Sequence, residues 1–167
     1  MNKPRGGHTA VVIRKASVAD AEDMSAIVHH YSTGFLADPK GDDAKVFLAS
    51  TSPDRFVAHI LSANRKFFVA AASEAFIGFI SLRDDSHINQ FFVLEDYHQK
   101  GIGSQLWNRV RAEAAPALRH HKFTVKSSLY AVPVYERFGF TRTADRTEER
   151  GLIYVPMELT VDGPSAE

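Results

Sequence analysis

The sequence of 167 residues contains no cysteine. Disulfide bonds, thiolate metal sites and a cysteine nucleophile are therefore excluded. It also lacks an excess of charge of either sign, because 20 lysines and arginines balance 20 aspartates and glutamates. With no global basic field, neither nucleic acid nor an anionic membrane is expected as a partner. The lack of cysteine agrees with a reducing compartment, and we expect a cytoplasmic protein.

Long apolar runs are absent as well. No run approaches the length of a membrane span, and the N-terminal MNKPRGGH has no apolar segment of signal-peptide length. The length suits one domain with a sizeable core, and no repeat or linker divides the chain. We predict a single domain over residues 1–167, with frayed tails at 1–8 and 161–167.

The N-terminal half contains one strand and two helices by pattern. TAVVIRKA predicts a strand, and Ser17 with Asp20 predicts the capped start of a helix. SPDRF opens a second helix, with proline at its first turn. The residues expected on its inner face are Phe56, Val57, Ile60 and Leu61. The segment 35–51 between the helices has no clear period and is predicted to be irregular.

The C-terminal half predicts a sheet interrupted by helices. KFFVAAA and AFIGFISL are separated by two residues and predict a hairpin, and HINQFFVL predicts a third strand beside it. A long helix follows from Ile102, then the strand KFTVKS, a short helix ended by Gly139, and the strands FTRTADRT and LIYVPMEL. The order βααβββαβαββ is a mixed α/β architecture.

The stretch EDYHQKGIGSQL places two glycines at the start of the long helix. Gly101 and Gly103 allow a sharp turn and a close backbone approach, and the first helical turn presents free N–H groups. Lys100 and Ser104 add a cation and a hydroxyl, so the stretch suits a diphosphate. The alternative is a tight strand-to-helix turn without a ligand. The Walker loop is excluded by its missing Gly-Lys-Ser/Thr, and Leu106 stands where a dinucleotide fingerprint needs glycine.

Two motifs resemble the GNAT superfamily of N-acetyltransferases. FFVLEDYHQKGIGSQL is similar to its acyl-CoA-binding motif, Q/R-x-x-G-x-G/A at the start of a long helix, with His98 in the Q/R place. SSLYAVPVYERFGF is similar to the closing motif N-x-x-A-x-x-x-Y-x-x-x-G-F, with Ser128 in the Asn place. The positions on pattern there are Ala131, Tyr135, Gly139 and Phe140.

The resemblance implies a fold and a cofactor. We expect a mixed central sheet of about six or seven strands with about four helices, open as a V between parallel strands 88–94 and 122–127. Acetyl-CoA would lie in that opening as the co-substrate. No metal is implied, and no histidine pair has metal-ligand spacing. The implied cofactor contacts are Phe92, Val93, His98, Gln99, Lys100, Gly101, Ile102, Gly103, Ser104 and Ser128.

The resemblance also implies catalytic residues. Tyr135 stands where the family usually has a tyrosine near the sulfur, and a phenol can protonate the departing thiolate. His87 stands eleven residues before the Q/R place, where histone-modifying members carry a glutamate base. An unperturbed histidine has a pKa near neutral, which suits that task. The alternatives are a half-buried aromatic for Tyr135 and, for His87, a solvated strand end, with another carboxylate or water as the base.

The acceptor is expected to be the primary amine of a small molecule or a peptide, between walls at residues 29–56 and 141–155. Asp38, Asp42 and Asp43 either attract a cationic amine there or keep an irregular loop soluble. A non-catalytic acyl-CoA-binding or protein-interaction module is the alternative function, because His98 and Ser128 depart from the family pattern. A different phosphate-binding enzyme is a third reading, and a homodimer is left open.

Overall fold

An eight-stranded mixed sheet forms the centre of the protein in a computed structural model that describes residues 10–114, 116, 118 and 121–162. The strands are β1 (Val11–Lys15), β2 (Arg65–Ala72), β3 (Ala75–Arg83), β4 (His87–Val93), β5 (Lys122–Ser127), β6 (Thr141–Arg142), β7 (Thr147–Glu149) and β8 (Leu152–Thr160). The helices are α1 (Ala21–Tyr31), α2 (Asp42–Ser50), α3 (Pro53–Ile60), α4 (Ile102–Ala114) and α5 (Val132–Arg137). The predicted mixed α/β fold is confirmed, with eight strands and five α-helices in the described part of the chain. Tails are expected at 1–8 and 161–167, and all of these residues except Val161 and Asp162 lie outside the described residues.

The strands lie in the order β1-β2-β3-β4-β5-β8-β6, and β7 also pairs with β8. Only β4 and β5 run parallel, and every other described pairing is antiparallel. The predicted strand FTRTADRT contains β6 and the first residue of β7, and both of these strands pair with β8. The parallel pair therefore joins an N-terminal and a C-terminal antiparallel group at the middle of the sheet.

Helices cover both faces of the sheet, so alternate side chains of a central strand enter different cores. In β2, Phe68 packs with α4 and α5 on one face, whereas Phe67 packs with α1 and α3 on the other. Trp107 of α4 lies edge-on to Phe123 of β5, with ring centroids 5.0 Å apart. Burial of these apolar faces is the main stabilising contribution.

The predicted cap of the first helical segment is present. The Asp20 carboxylate accepts from the backbone N–H of Ser17 at 2.8 Å, and a 3-10 turn over Val18–Asp20 leads into α1. The Arg14 guanidinium donates two further bonds of 2.8 Å to the same carboxylate. These bonds favour the ionised carboxylate and hold the pKa of Asp20 below its usual range.

Two predictions for the N-terminal half are wrong. The segment expected to be irregular contains α2, whose first turn carries Asp42 and Asp43 where the helix dipole favours acidic side chains. Leu61, expected on the inner face of α3, follows the last residue of that helix and is 73% exposed. None of the helices in the described residues is long and apolar enough to cross a membrane.

Candidate active site

The two parallel strands pair only over their first residues. His87 pairs with Thr124 and Ile88 with Val125, and no further pair joins β4 to β5 within the described residues. β4 nevertheless continues to Val93. The strands therefore part, and the backbone groups that face the gap need partners from outside the sheet. The expected V-shaped opening is confirmed.

Val93 presents its backbone to this gap. The N–H of Leu94 donates to the carbonyl of Ile77 in β3 at 2.8 Å. Because successive residues of an antiparallel strand direct their hydrogen bonds to opposite sides, the N–H and C=O of Val93 point away from β3 and towards β5. The carbonyl accepts a hydrogen bond from Nε2 of His98 at 2.6 Å, and the N–H is left directed into the gap.

That bond decides which nitrogen of His98 carries hydrogen. A carbonyl oxygen can only accept, so Nε2 must be the donor. A neutral imidazole has one N–H, and this bond uses it on Val93. His98 is an expected cofactor contact, and a hydrogen bond from it to a phosphate would have to come from the second nitrogen, Nδ1.

The glycine loop leads into α4 with unpaired amides. Gly101 has a φ of +77°, a left-handed conformation in which any side chain would be strained. The first hydrogen bond of the helix runs from the N–H of Gln105 to the carbonyl of Gly101 at 3.1 Å. The N–H groups of residues 101–104 have no acceptor within the described part of the chain. They form the positive end of a helix of 13 residues.

A cavity of about 680 Å³ occupies the gap between the strands and the start of α4. All but one of the expected cofactor contacts line it, the exception being Lys100. Those lining residues are Phe92, Val93, His98, Gln99, Gly101, Ile102, Gly103, Ser104 and Ser128. Lys100 instead lies over the ring of Tyr97, with Nζ 5.3 Å from the ring centroid, and that ring lines the cavity.

Tyr135 lies on the wall of this cavity, in α5. Its ring packs edge-on against Phe91 and Phe140, at centroid distances of 6.1 and 5.4 Å. No described residue forms a hydrogen bond with its hydroxyl. Among the described residues, every fully buried side-chain oxygen has a hydrogen-bond partner, so the unpartnered hydroxyl of Tyr135 is not fully buried and opens to the cavity. Burial of the ring raises the pKa of Tyr135 well above its usual value.

His87 is not brought to the cavity wall. It stands where β4 and β5 are still paired, with Nδ1 2.8 Å from the hydroxyl oxygen of Thr124. Burial, reinforced by the positive charges of Arg83 and Lys126, lowers the pKa of His87 to about 4. The ring is therefore neutral at physiological pH and is a weaker base than an exposed histidine.

Ser128, in the Asn place of the closing motif, forms local bonds. Its carbonyl accepts from the N–H of Ala131 at 3.1 Å, and its hydroxyl oxygen lies 3.3 Å from the same nitrogen. These bonds shape the turn before α5. The side chain still borders the cavity, but it acts first as a turn residue.

Aromatic side chains that sequence reasoning did not single out line the other end of the cavity. Tyr31 stacks on Phe92 with ring centroids 6.2 Å apart and planes 11° apart. Phe35 packs against the same ring at 6.2 Å. Phe35 lies in the segment 35–51, where the sequence has no clear period. Gly34 and Glu95 complete this end.

Of the two segments that were expected to form the acceptor walls, only 29–56 contributes described residues to the cavity lining. Tyr31, Gly34 and Phe35 of the range 29–56 line the cavity, whereas no described residue of 141–155 does so. Asp38, Asp42 and Asp43 are also outside its described lining. Across the described residues, no group of three or more His, Asp or Glu side chains is placed to hold a metal ion.

The fold and this opening define a class of protein. The family profile described as "Acetyltransferase (GNAT) domain" matches residues 35–161. The chain therefore belongs to the GNAT acetyltransferases. No curated protein matches the sequence at a significant level.

Solved structures share the fold at low identity. A PaiA N-acetyltransferase from Thermoplasma acidophilum, in complex with coenzyme A, superimposes with a TM-score of 0.73 at 17% identity, over 91% of this chain and 99% of that one. A GCN5-related N-acetyltransferase from Rhodopseudomonas palustris, described as aminotransferase class II, has a TM-score of 0.72 at 20% identity, over 93% of this chain and 100% of that one. Spermidine N-acetyltransferase from Vibrio cholerae, in complex with CoA and spermine, has a TM-score of 0.62 at 17% identity, over 89% of this chain and 94% of that one. At these identities the likeness is one of fold.

Proposed function

We propose that the protein transfers an acetyl group from acetyl-CoA directly to the primary amine of an acceptor. The observation that carries the proposal is the parting of β4 from β5 after two residue pairs, with a cavity of about 680 Å³ in the gap and Tyr135 on its wall. Family membership supports an acyl-CoA-dependent acetyltransferase in general. Two of the solved neighbours were crystallised with coenzyme A.

The residues present fit coenzyme A. The four N–H groups of residues 101–104, which have no acceptor among the described residues, suit a diphosphate, and the positive φ of Gly101 turns the chain into the helix without strain. Gly103 lines the cavity and has no side chain, so its backbone is open to close approach there. The free edge of β4 suits an extended arm that pairs with it as an added strand.

The chain's groups have separate roles in the proposed transfer. Bound acetyl-CoA supplies an acyl group activated as a thioester. The N–H of Val93 points into the gap, where it can stabilise negative charge on the acyl oxygen. The bond from His98 to the Val93 carbonyl holds the next peptide group, between Val93 and Leu94, in place.

Tyr135 is the proposed acid. Its hydroxyl opens to the cavity, and its raised pKa keeps the phenol protonated at neutral pH. A proton is therefore available for a thiolate that leaves at this wall. The rings of Phe91 and Phe140 hold the Tyr135 ring in position at the cavity.

His87 is the proposed proton acceptor for the amine, acting through water. Its ring does not line the cavity, so a water chain must bridge the paired strand ends and the gap. The neutral ring can accept a proton, although its pKa of about 4 makes it a weak base. The variant His87→Gln decides this role: unchanged turnover would remove His87 from the mechanism.

The experiment follows the release of free thiol from acetyl-CoA with a panel of primary amines. We expect saturable turnover, and we expect Tyr135→Phe to lower kcat about 10²-fold without weakening CoA binding. Phe138→Leu, at the residue that follows the same short helix and also at the cavity, controls for altered packing. Turnover that is unchanged in Tyr135→Phe would contradict the assignment.

A non-catalytic acyl-CoA-binding module is the second candidate. It is favoured by the two off-pattern side chains, because His98 and Ser128 bond to the protein's own backbone. This candidate predicts that CoA raises the melting temperature while no amine is acetylated. The same panel therefore separates the two functions.

A further inference from the structure

The aromatic end of the cavity points to the chemical class of the acceptor. We infer that the acceptor is a hydrophobic monoamine, with one ammonium group on an apolar or ring-bearing body, rather than a polyamine. This inference rests on the proposed acyl transfer and specifies its second substrate.

Three rings from separate parts of the chain form an apolar wall. Tyr31 ends α1, Phe35 follows the next turn, and Phe92 lies near the end of β4. Phe92 contacts both of the other rings, at centroid distances of 6.2 Å. Such a wall buries an apolar or aromatic group well, because rings pack against rings by stacking or edge-on contact.

The wall is held in position by the backbone. The carbonyl of Phe35 accepts from the N–H of Ile153 at 2.8 Å, and the N–H of Ala37 donates to the carbonyl of Gly151 at 2.8 Å. The hydroxyl of Tyr31 accepts from the N–H of Glu95 at 2.9 Å. Because these hydrogen bonds are made within the protein itself and need no bound amine, the wall is preorganised for a ligand of matching shape.

Charge at this end is sufficient for one ammonium group. Glu95 is the one carboxylate among the described residues that line the cavity. A single ammonium can be matched by this carboxylate and by the faces of the rings. A polyamine would bring further ammonium groups into an apolar wall, where unpaired charge is unfavourable.

The nearby aspartates have other partners. Asp42 is paired with Lys45 at 2.9 Å, and the Asp38 carboxylate accepts from the N–H of Lys40 at 3.0 Å. The side chain of Asp43 packs against Gly151. A Cβ built at Gly151 would lie only 2.5 Å from the Cβ of Asp43. They shape the loop and the start of α2 and leave Glu95 as the described acidic group at the cavity.

The first test compares 2-phenylethylamine with putrescine and spermidine. We expect kcat/KM to be at least about tenfold higher for 2-phenylethylamine, and we expect this amine to give the larger rise in melting temperature of the protein–CoA complex. A preference for either polyamine in both measurements would overturn the inference while leaving the acetyltransferase function intact. If no amine is acetylated although CoA binds, the proposed function fails, and the melting temperatures still decide the class of ligand.

The second test adds a carboxylate to the wall. Gly34 lines the cavity, and a Cβ built there meets no atom within 4 Å, so a side chain fits. Gly34→Asp should raise the kcat/KM ratio of putrescine to 2-phenylethylamine about fivefold, and the uncharged control Gly34→Asn should not. An unchanged ratio in Gly34→Asp would overturn the inference.

A third variant guards against a folding defect in Gly34→Asp. Phe35→Leu keeps an apolar side chain but removes one ring from the wall. We expect it to raise KM for 2-phenylethylamine several-fold while the Kd for CoA is unchanged. Val46→Ala, at an exposed position of the neighbouring helix, is the matched control. Equal KM values in the two variants would contradict a role of the Phe35 ring in binding.

Discussion

Nε2 of His98 lies 2.6 Å from the backbone carbonyl oxygen of Val93. The imidazole thus satisfies one of the backbone groups that the parting of β4 and β5 leaves without a partner in the sheet. In the family motif this place is usually glutamine or arginine, and both of these also carry N–H donors. The position therefore needs a donor for the strand end as much as for a phosphate.

Removal of this donor is expected to affect stability more than cofactor affinity. His98→Ala should lower the free energy of unfolding by about 1 kcal/mol, because the Val93 carbonyl loses its partner. His98→Gln supplies another N–H donor and should retain most of the stability that His98→Ala loses. Urea unfolding measures the stability, and calorimetry should show the Kd for CoA changing less than about threefold, since the proposed phosphate contacts are made by backbone amides. A tenfold loss of CoA affinity at unchanged stability would instead place the imidazole on the cofactor.

At Gly103 we expect the opposite result, in which a substitution weakens CoA binding without lowering stability. A Cβ at this position would make an ordinary 3.5 Å contact with Phe91, and alanine favours a helix over glycine by about 1 kcal/mol. Gly103→Ala should therefore be as stable as the parent protein or more so, but it should bind CoA about tenfold more weakly because the amide can no longer be approached closely. Gln105→Ala, two residues further along α4, is the control. Unchanged CoA affinity in Gly103→Ala would contradict phosphate binding at this turn.

Gly78 of β3 allows the end of β4 to lie in its observed position. A Cβ at Gly78 of β3 would lie 2.3 Å from the carbonyl oxygen of Phe92 and 2.8 Å from Cα of Val93. Backbone atoms cannot give way as a flexible side chain can, so Gly78→Ala must displace the end of β4. We expect a loss of stability of about 1–3 kcal/mol together with weaker CoA binding, measured by urea unfolding and calorimetry. Gly34→Ala, where the Cβ meets nothing, should change neither, and equal behaviour of the two variants would contradict this account.

Local chemistry explains which parts could be predicted from the sequence. The cap at Ser17 and Asp20 and the glycine turn before α4 depend on residues a few positions apart, so their spacing is visible in the sequence. The hairpin of β2 and β3 is equally local. The motif around Tyr135 was recognised by its pattern, and the structure places that residue on the same cavity as the glycine loop.

Long-range pairing explains what could not be predicted. The prediction of His87 rests on its spacing from His98 along the chain, but its position relative to the cavity depends on where β4 and β5 part, which is set by contacts between residues far apart in sequence. The aromatic wall likewise depends on the bridge between Leu36 and Leu152, which brings Phe35 to Phe92. The helix α2 was missed because Ala44 is the only one of its residues that is fully buried, so its apolar period is weak.

Two histidines become harder to protonate when the chain folds. Burial, with Arg83 and Lys126 nearby, lowers the pKa of His87 to about 4. Burial and two arginines also lower the pKa of His59. An unfolded histidine has a pKa of about 6.5, so between these values the unfolded chain binds more protons than the folded one. Stability must therefore rise with pH across this window and become constant above it.

The free energy of unfolding is accordingly expected to fall by up to about 3 kcal/mol on acidification from pH 7 to pH 4, with His87 as the main source. Urea unfolding at half-unit pH intervals measures this slope. His87→Gln should remove most of it, because glutamine can still meet the hydroxyl of Thr124 but takes up no proton in this range. His59→Gln reports the smaller share of the second histidine. If His87→Gln and the parent protein lost stability along the same slope, protonation of His87 would not be linked to folding.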